Sequence, residues 1–240
     1  MFQFGIIMVI LIGTILIGIP ISYSMGITGL IYILITNASY IAIIPNRLYE
    51  GVNQFQLLAI PFFLLAADIM INADISGKLF RFVKLFVGRF RGGLAYVNVI
   101  VSMVFGSVSG TALGDIAALG KVEMDAMDEE GYDKDFSCAL TAASSLQSPL
   151  IPPSNIAVLY ASVMGLSVGA LFLAGLLPGV MLGMAQILYI IAVRDKKNFP
   201  ACNEKYRGSQ IKSIILNGLI TLGMPFIIIG GVLGGYFTAT

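Results

Sequence analysis

Three glycines and three hydroxyl residues fall within ten positions in Phe105-Gly-Ser-Val-Ser-Gly-Thr-Ala-Leu-Gly-Asp115. Glycine admits the backbone angles of a tight turn. Ser and Thr supply oxygens that either ligate a cation or cap freed backbone groups. Three prolines interrupt Ser144-Ser-Leu-Gln-Ser-Pro-Leu-Ile-Pro-Pro-Ser-Asn155. Proline lacks an N–H and blocks a continuous helix. The flanks, 136–146 and 153–164, are nonetheless apolar and helix-like, so the economical structure is one helix broken in its middle. Both stretches offer carbonyl, hydroxyl and amide oxygens, the donors a small hard cation prefers. The competing reading is that the small residues only let helices pack closely.

Asp115 closes the first stretch. A carboxylate at membrane depth is costly and marks a functional position; the alternative is a cap for the helix that follows, since acids suit helix N-termini. Asp68 lies near a helix end, where a structural or interfacial role is expected. The chain has no histidine, and no nucleophile–base pair, phosphate loop or metal motif is present, so it is not expected to be an enzyme. A net charge of +1 argues against a nucleic-acid partner. Cys138 and Cys202 fall in different segments and read as free thiols.

The elements that must hold these residues are membrane helices. Of the 240 residues, 58% are hydrophobic and 11% charged, against about 25% charged in a soluble domain. Residues 1–46, 92–114, 136–193 and 213–240 carry no charge at all. Each is long enough for a span of about 20 residues. The first has no basic n-region and runs past the length of a signal peptide's apolar core, so it reads as retained membrane helix. The pattern predicts helices over about 4–22, 25–38, 54–73, 136–146, 153–164, 168–193 and 212–230, with 93–128 a pair of shorter elements meeting near Gly106–Gly114. Pro20 and Gly26 mark the first connection, and Asn37 with Pro45 the second. Irregular backbone survives at membrane depth only inside protein or beside a watery cavity. Two such breaks are therefore expected to meet.

Charge sets the topology. Lys78, Arg81, Lys84, Arg89 and Arg91 lie in 76–91; Arg194, Lys196, Lys197, Lys205, Arg207 and Lys212 lie in 194–212. The positive-inside rule puts both segments in the cytoplasm. If 93–128 crossed once, the second basic segment would end outside. If 93–128 is a re-entrant hairpin, the acidic segment 121–135 and both basic segments are cytoplasmic and the N-terminus is outside. Within 77–91, Leu79, Phe80, Phe82, Val83, Leu85, Phe86 and Phe90 interleave with the basic residues. This pattern suits an amphipathic helix on the inner membrane face; the alternative is a plain cytoplasmic extension of the preceding helix.

Several stretches in order resemble the large membrane subunit of the TRAP (tripartite ATP-independent periplasmic) transporters: Ala59-Ile-Pro-Phe-Phe-Leu-Leu-Ala66, Gly92-Gly-Leu-Ala95, Phe105-Gly-Ser-Val-Ser-Gly-Thr111, Pro149-Leu-Ile-Pro-Pro-Ser154, Leu171-Phe-Leu-Ala-Gly175 with Pro178-Gly179, and Gly234-Gly-Tyr-Phe-Thr-Ala-Thr240. The resemblance implies the membrane subunit of a sodium-driven importer of small organic acids. It works with a small four-helix membrane subunit and a periplasmic substrate-binding protein in the bacterial inner membrane. Dicarboxylates, sugar acids and sialic acids all fit. Sodium is the coupling ion and no other cofactor is expected.

The fold it implies is an all-α, polytopic elevator-type transporter of two inverted repeats, each with a re-entrant hairpin and a broken helix. This chain would be one repeat plus the start of the second. Its expected parts are scaffold helices over 1–75, a cytoplasmic-face amphipathic segment over 76–92, a transport part over 93–194, a cytoplasmic linker over 195–211 and the opening of the second repeat over 212–240. Carried over by position, Ser107, Ser109, Gly110 and Thr111 match the hairpin tip, with Asp115 at its edge. Ser145, Gln147, Pro149, Ser154 and Asn155 lie in the matching broken helix. Together they would line one sodium and substrate site, largely through backbone carbonyls. The chain departs from the family at Gln147 and Ser148, where glycines are frequent, and at Ala67, commonly Gly. The rival expectations are a divalent-anion/sodium symporter that needs no binding protein, and a truncated, non-transporting membrane scaffold.

Overall fold

A computed structural model describes residues 2–197, 199–200, 208–233 and 236. Among them every regular element is helical. Cys202, Lys205, Arg207, Gly234, Gly235 and residues 237–240 lie outside the described residues. Cys138 is a free, exposed thiol.

The chain divides into two compact units, at Asn53 and Gln54. The first holds α1 (Phe2–Leu16), α2 (Ile21–Thr36) and α3 (Ile44–Val52). The break between α1 and α2 falls earlier than the sequence pattern predicts. Gly18, with φ +93°, and Pro20 end α1, whereas Gly26 sits inside α2. Asn37 and Pro45 act as expected: the Asn37 side chain accepts from the Ser39 N–H, and Pro45 opens α3. Helix α3 itself was not expected. It is short and polar enough (Asn46, Arg47, Glu50) to escape a search for apolar runs.

The second unit holds α4 (Ala59–Asn72), α5 (Ile75–Val87), α6 (Gly93–Ser109), α7 (Ala112–Glu129), α8 (Lys134–Ser145), α9 (Asn155–Met164), α10 (Val168–Val193) and α11 (Gly208–Leu233). Residues 55–72 and Val168–Val193 are each long and apolar enough to cross a bilayer. Helix α10 exposes Leu177, Met181, Met184 and Leu188, a stripe that water would not tolerate unaided. Helix α6 is different. Leu94, Ala95, Val97, Val99, Val101 and Phe105 are all fully buried, so α6 is the central post of the unit. That accounts for the charge-free run at 92–114: a helix surrounded by protein has no solvated face for charged side chains.

Helix α5 is separate from α4, the chain turning at Ala73 and at Asp74, which has φ 52°. This sets aside the continuous-extension reading. Of the apolar residues in this segment, Leu79, Phe80 and Val83 are buried on protein, against α6 and α11, while Phe86 and Phe90 are exposed.

The three charged segments gather at one end of this unit. Lys84 of α5 pairs with Glu130, past the end of α7, at 3.3 Å with both side chains mostly buried. The Gly92 N–H donates to the Pro200 carbonyl at 3.0 Å. Phe199 packs at a tilt on Phe136 and Tyr132 at centroid distances of 4.7 and 5.2 Å, and the Lys197 ammonium sits 5.2 Å over the Phe136 ring. Burial, with the Glu130 charge second, pushes the Tyr132 hydroxyl pKa up, so it stays a neutral member of the cluster. Helices α6 and α7 thus start and finish at the same end. They form a helical hairpin whose tip, Gly110–Thr111, points away from the charges.

Candidate functional site

The hairpin tip is built by caps. Gly110 takes φ +62°, and its N–H closes α6 on the Gly106 carbonyl at 2.9 Å. A residue in the left-handed region at this place is a standard helix stop. Thr111 is extended, and its Oγ1 accepts from the Gly114 N–H at 3.1 Å, starting α7. The Ser109 hydroxyl donates to the Thr111 carbonyl at 3.2 Å. Losing such an N-cap costs about 1 kcal/mol. Thr111→Val is therefore expected to speed amide exchange roughly fivefold over 112–115, read by hydrogen–deuterium exchange; unchanged protection there would refute the cap.

The prolines break the second stretch as predicted. Helix α8 stops at Ser145 and α9 starts at Asn155, with the Ser154 hydroxyl accepting from the Ala157 N–H at 3.2 Å. The intervening segment is largely buried, Gln147, Ser148, Ile151, Pro152, Pro153 and Ser154 included. Its seat is a small-residue stripe on α10. A Cβ on Gly175 would stand 2.6 Å from the Leu150 carbonyl oxygen, one on Gly179 2.7 Å from Ile151 Cγ1, and one on Gly183 2.7 Å from Gln147 Oε1. Residues 175, 179 and 183 recur every four positions and share one face. The broken segment can lie this close to α10 because glycine stands at these three positions.

The two breaks meet. A Cβ on Gly110 would lie 3.0 Å from both the Asn155 N and the Pro153 carbonyl oxygen. The Asn155 side-chain NH₂ donates to the Ser109 carbonyl at 3.4 Å. Its Oδ1 is buried and has no hydrogen-bond partner among the described residues. Lower down, Gly106 abuts Ser148, whose Cα would be 2.6 Å from a Cβ there. Asp115 is almost wholly buried, with the Ser102 and Ser148 side chains beside its carboxyl. Asp115 Oδ1 and Ser148 Oγ also lack partners among the described residues. Orphaned buried oxygens are costly and call for a partner such as water or an ion. Here Asn155 Oδ1, Asp115 Oδ1 and Ser148 Oγ belong to the hairpin and the break, and they are of the type that binds a hard cation.

Other predicted residues stand elsewhere. The Gln147 amide points to α10, its Nε2 donating to Gln186 Oε1 at 2.6 Å, while Gln186 donates to the Ala143 carbonyl at 2.8 Å. Ser107 and Ser145 are buried, and their hydroxyls fold back onto the Val104 and Ala142 carbonyls of their own helices, at 2.5 and 2.9 Å. Pro149 is half-buried within the break.

A second polar cluster was not anticipated. Asn98 of α6 donates to Glu123 Oε2 of α7 and to Thr141 Oγ1 of α8, each at 2.7 Å. Ser144 donates to Asn98 Oδ1 at 2.8 Å, and Ser102 donates to Ser144 at 3.2 Å. Sequence reading places Glu123 in a cytoplasmic acidic segment. The signal that identifies it is register. Asp115, Leu119, Glu123 and Met127 are spaced by four, and all are buried on one face of α7.

Comparison with known proteins gives a family match over residues 8–240, to the tripartite ATP-independent periplasmic transporter, DctM component. The sialic acid TRAP transporter large permease protein SiaM of Vibrio cholerae is 36% identical over 229 residues, which cover 95% of this chain and 53% of that protein. The C4-dicarboxylate TRAP transporter large permease protein DctM of the same organism is 32% identical, with 98% and 52% covered. The ectoine TRAP transporter large permease protein TeaC of Halomonas elongata is 32% identical, with 96% and 54% covered. The chain spans about half the length of the curated relatives it matches.

Proposed function

We propose, because this chain belongs to the DctM-component family of the tripartite ATP-independent periplasmic transporters, that it forms the sodium-binding transport half of a binding-protein-dependent importer of small organic acids. Its relatives are transporter permeases, and it is a polytopic membrane protein and not an enzyme. The observation that carries the reading is the contact of Asn155 with Ser109 and Gly110, which brings two oxygen-rich breaks together around orphaned oxygens. Secondary transporters bind coupling ions and substrates between such breaks. Sodium held by Ser109, Thr111, Asp115, Ser154 and Asn155 favours the conformation that accepts substrate, through its differential affinity for the two states.

In this reading the gathered charges mark the cytoplasmic face of the bacterial inner membrane, α6–α7 is re-entrant, and the N-terminus is periplasmic. The transport part moves as an elevator against the other helices, beside a small four-helix membrane subunit. A periplasmic binding protein delivers the carboxylate. The relatives' names include sialic acid and C4-dicarboxylates, so these are the first substrates to test.

The test is uptake of labelled sialic acid and C4-dicarboxylates into proteoliposomes. They hold the full-length permease that contains this sequence, its small subunit, and the binding protein outside. Uptake is expected only with both an inward sodium gradient and the binding protein. Sodium-driven uptake without the binding protein would move the protein to the simpler symporters. Uptake indifferent to sodium would overturn the ion site.

A further inference from the structure

We propose that Glu123 is a proton-binding site, separate from the hairpin-tip site and joined to a hydrogen-bonded polar cluster that extends towards it as far as Ser102. It lies eight residues beyond Asp115 on α7, about 12 Å along the helix axis. This goes beyond the transport reading, which uses only the tip and the helix break.

Glu123 has 0% of its surface exposed. Its two carboxyl oxygens are unlike. Oε2 accepts from the Asn98 amide at 2.7 Å and from the Thr141 hydroxyl at 3.4 Å. Oε1 is buried and has no partner among the described residues. No basic side chain among the described residues pairs with it. Ionised carboxylates are not buried in this way unless paired, because desolvation outweighs two neutral hydrogen bonds. A carboxylic acid fits: the proton sits on Oε1, and Oε2 is the carbonyl oxygen that takes both donors.

The neighbours favour the same state. Helix α6 presents Asn98 and α8 presents Thr141, and neither carries charge. On α7 itself Lys121 and Asp125 are exposed, and Asp115, a second buried acid, opposes another negative charge. The α5 cation that reaches α7's end, Lys84, is held by Glu130 at 3.3 Å. From Asn98 the hydrogen-bonded chain runs through Ser144 to Ser102. The three helices it crosses are the two arms of the hairpin and the first half of the broken helix. Loss of the proton leaves an uncompensated charge between them, so the closed packing of α6, α7 and α8 holds in acid and loosens as pH rises.

Infrared difference spectroscopy on the purified full-length permease in lipid nanodiscs, with ¹³C-carboxyl glutamate, tests this directly. At neutral pH a protonated-acid C=O band is expected in the wild type and absent in Glu123→Gln. It should vanish on alkaline titration, and Thr141→Val should shift it by removing one donor to Oε2. These wild-type and Thr141→Val readings need no Glu123 variant to fold. The melting temperature should fall with rising pH in the wild type and stay level in Glu123→Gln, which mimics the neutral acid. No acid band assignable to Glu123, or an ionised carboxylate stretch there that moves on adding sodium, would overturn the proposal. None of these readouts depends on uptake.

Discussion

Gly110→Ala is expected to raise the sodium concentration needed for half-maximal uptake by about tenfold or more while leaving the protein folded. Two costs coincide at this position. The backbone holds φ +62°, which charges an L-residue about 1–2 kcal/mol. The new methyl would also stand 3.0 Å from the Asn155 N and from the Pro153 carbonyl oxygen, inside ordinary contact distance. Both neighbours are backbone atoms, fixed by the start of α9, so the tip must retreat rather than the neighbour. Every 1.4 kcal/mol is tenfold in affinity, so strain and displacement together should weaken sodium binding by about tenfold or more. The measurement is uptake rate against sodium concentration, alongside size-exclusion profile and melting temperature. Wild-type sodium dependence in a folded Gly110→Ala protein would show that the tip does not need this close approach.

Asn155→Ala separates ligand from scaffold. The Asn155 bond to the Ser109 carbonyl is long, 3.4 Å, and its Oδ1 is buried without a partner. In the sodium-free protein the side chain therefore contributes little, and removing an orphaned oxygen offsets the loss of one weak hydrogen bond. With sodium the outcome reverses. A ligand at 100 times its Kd stabilises the native state by about 2.7 kcal/mol, and the variant should forfeit most of that. The expected result is a melting temperature within about one degree of wild type without sodium, and a sodium-induced rise that is largely gone. A purely structural Asn155 gives the opposite pattern: a lower melting temperature in both conditions and an undiminished sodium shift.

The local properties of this chain were legible because they depend on neighbours in sequence. Charge-free runs announce membrane helices, and Pro149, Pro152 and Pro153 must stop α8 wherever it is placed. Gly106, Gly110 and Gly114 likewise mark a turn before any fold is known. The basic and acidic segments also implied one shared end, and Lys84–Glu130 and Gly92–Pro200 place them there. Helix α3 was missed because its polar residues hide a short helix from a search for spans. The first connection was misplaced because Gly26 and Gly18 look alike until one of them takes φ +93°.

Other features were decided by packing. Nothing local tells that Gln147 faces Gln186 on α10 while Asn155, eight positions on, faces the hairpin tip; the turns between them set that. Glu123 reads as one acid among seven in 121–135, and only the face of α7 that meets α6 and α8 makes it a buried group. Its partners are 25 and 18 residues away in the chain. Sequence by itself determined the class of protein, most of the helices and the two breaks, because a helix satisfies its backbone within four residues and its hydropathy is written along it. Tertiary structure decided which oxygens face one another, because a helix face acquires a partner only when a distant segment arrives to cover it.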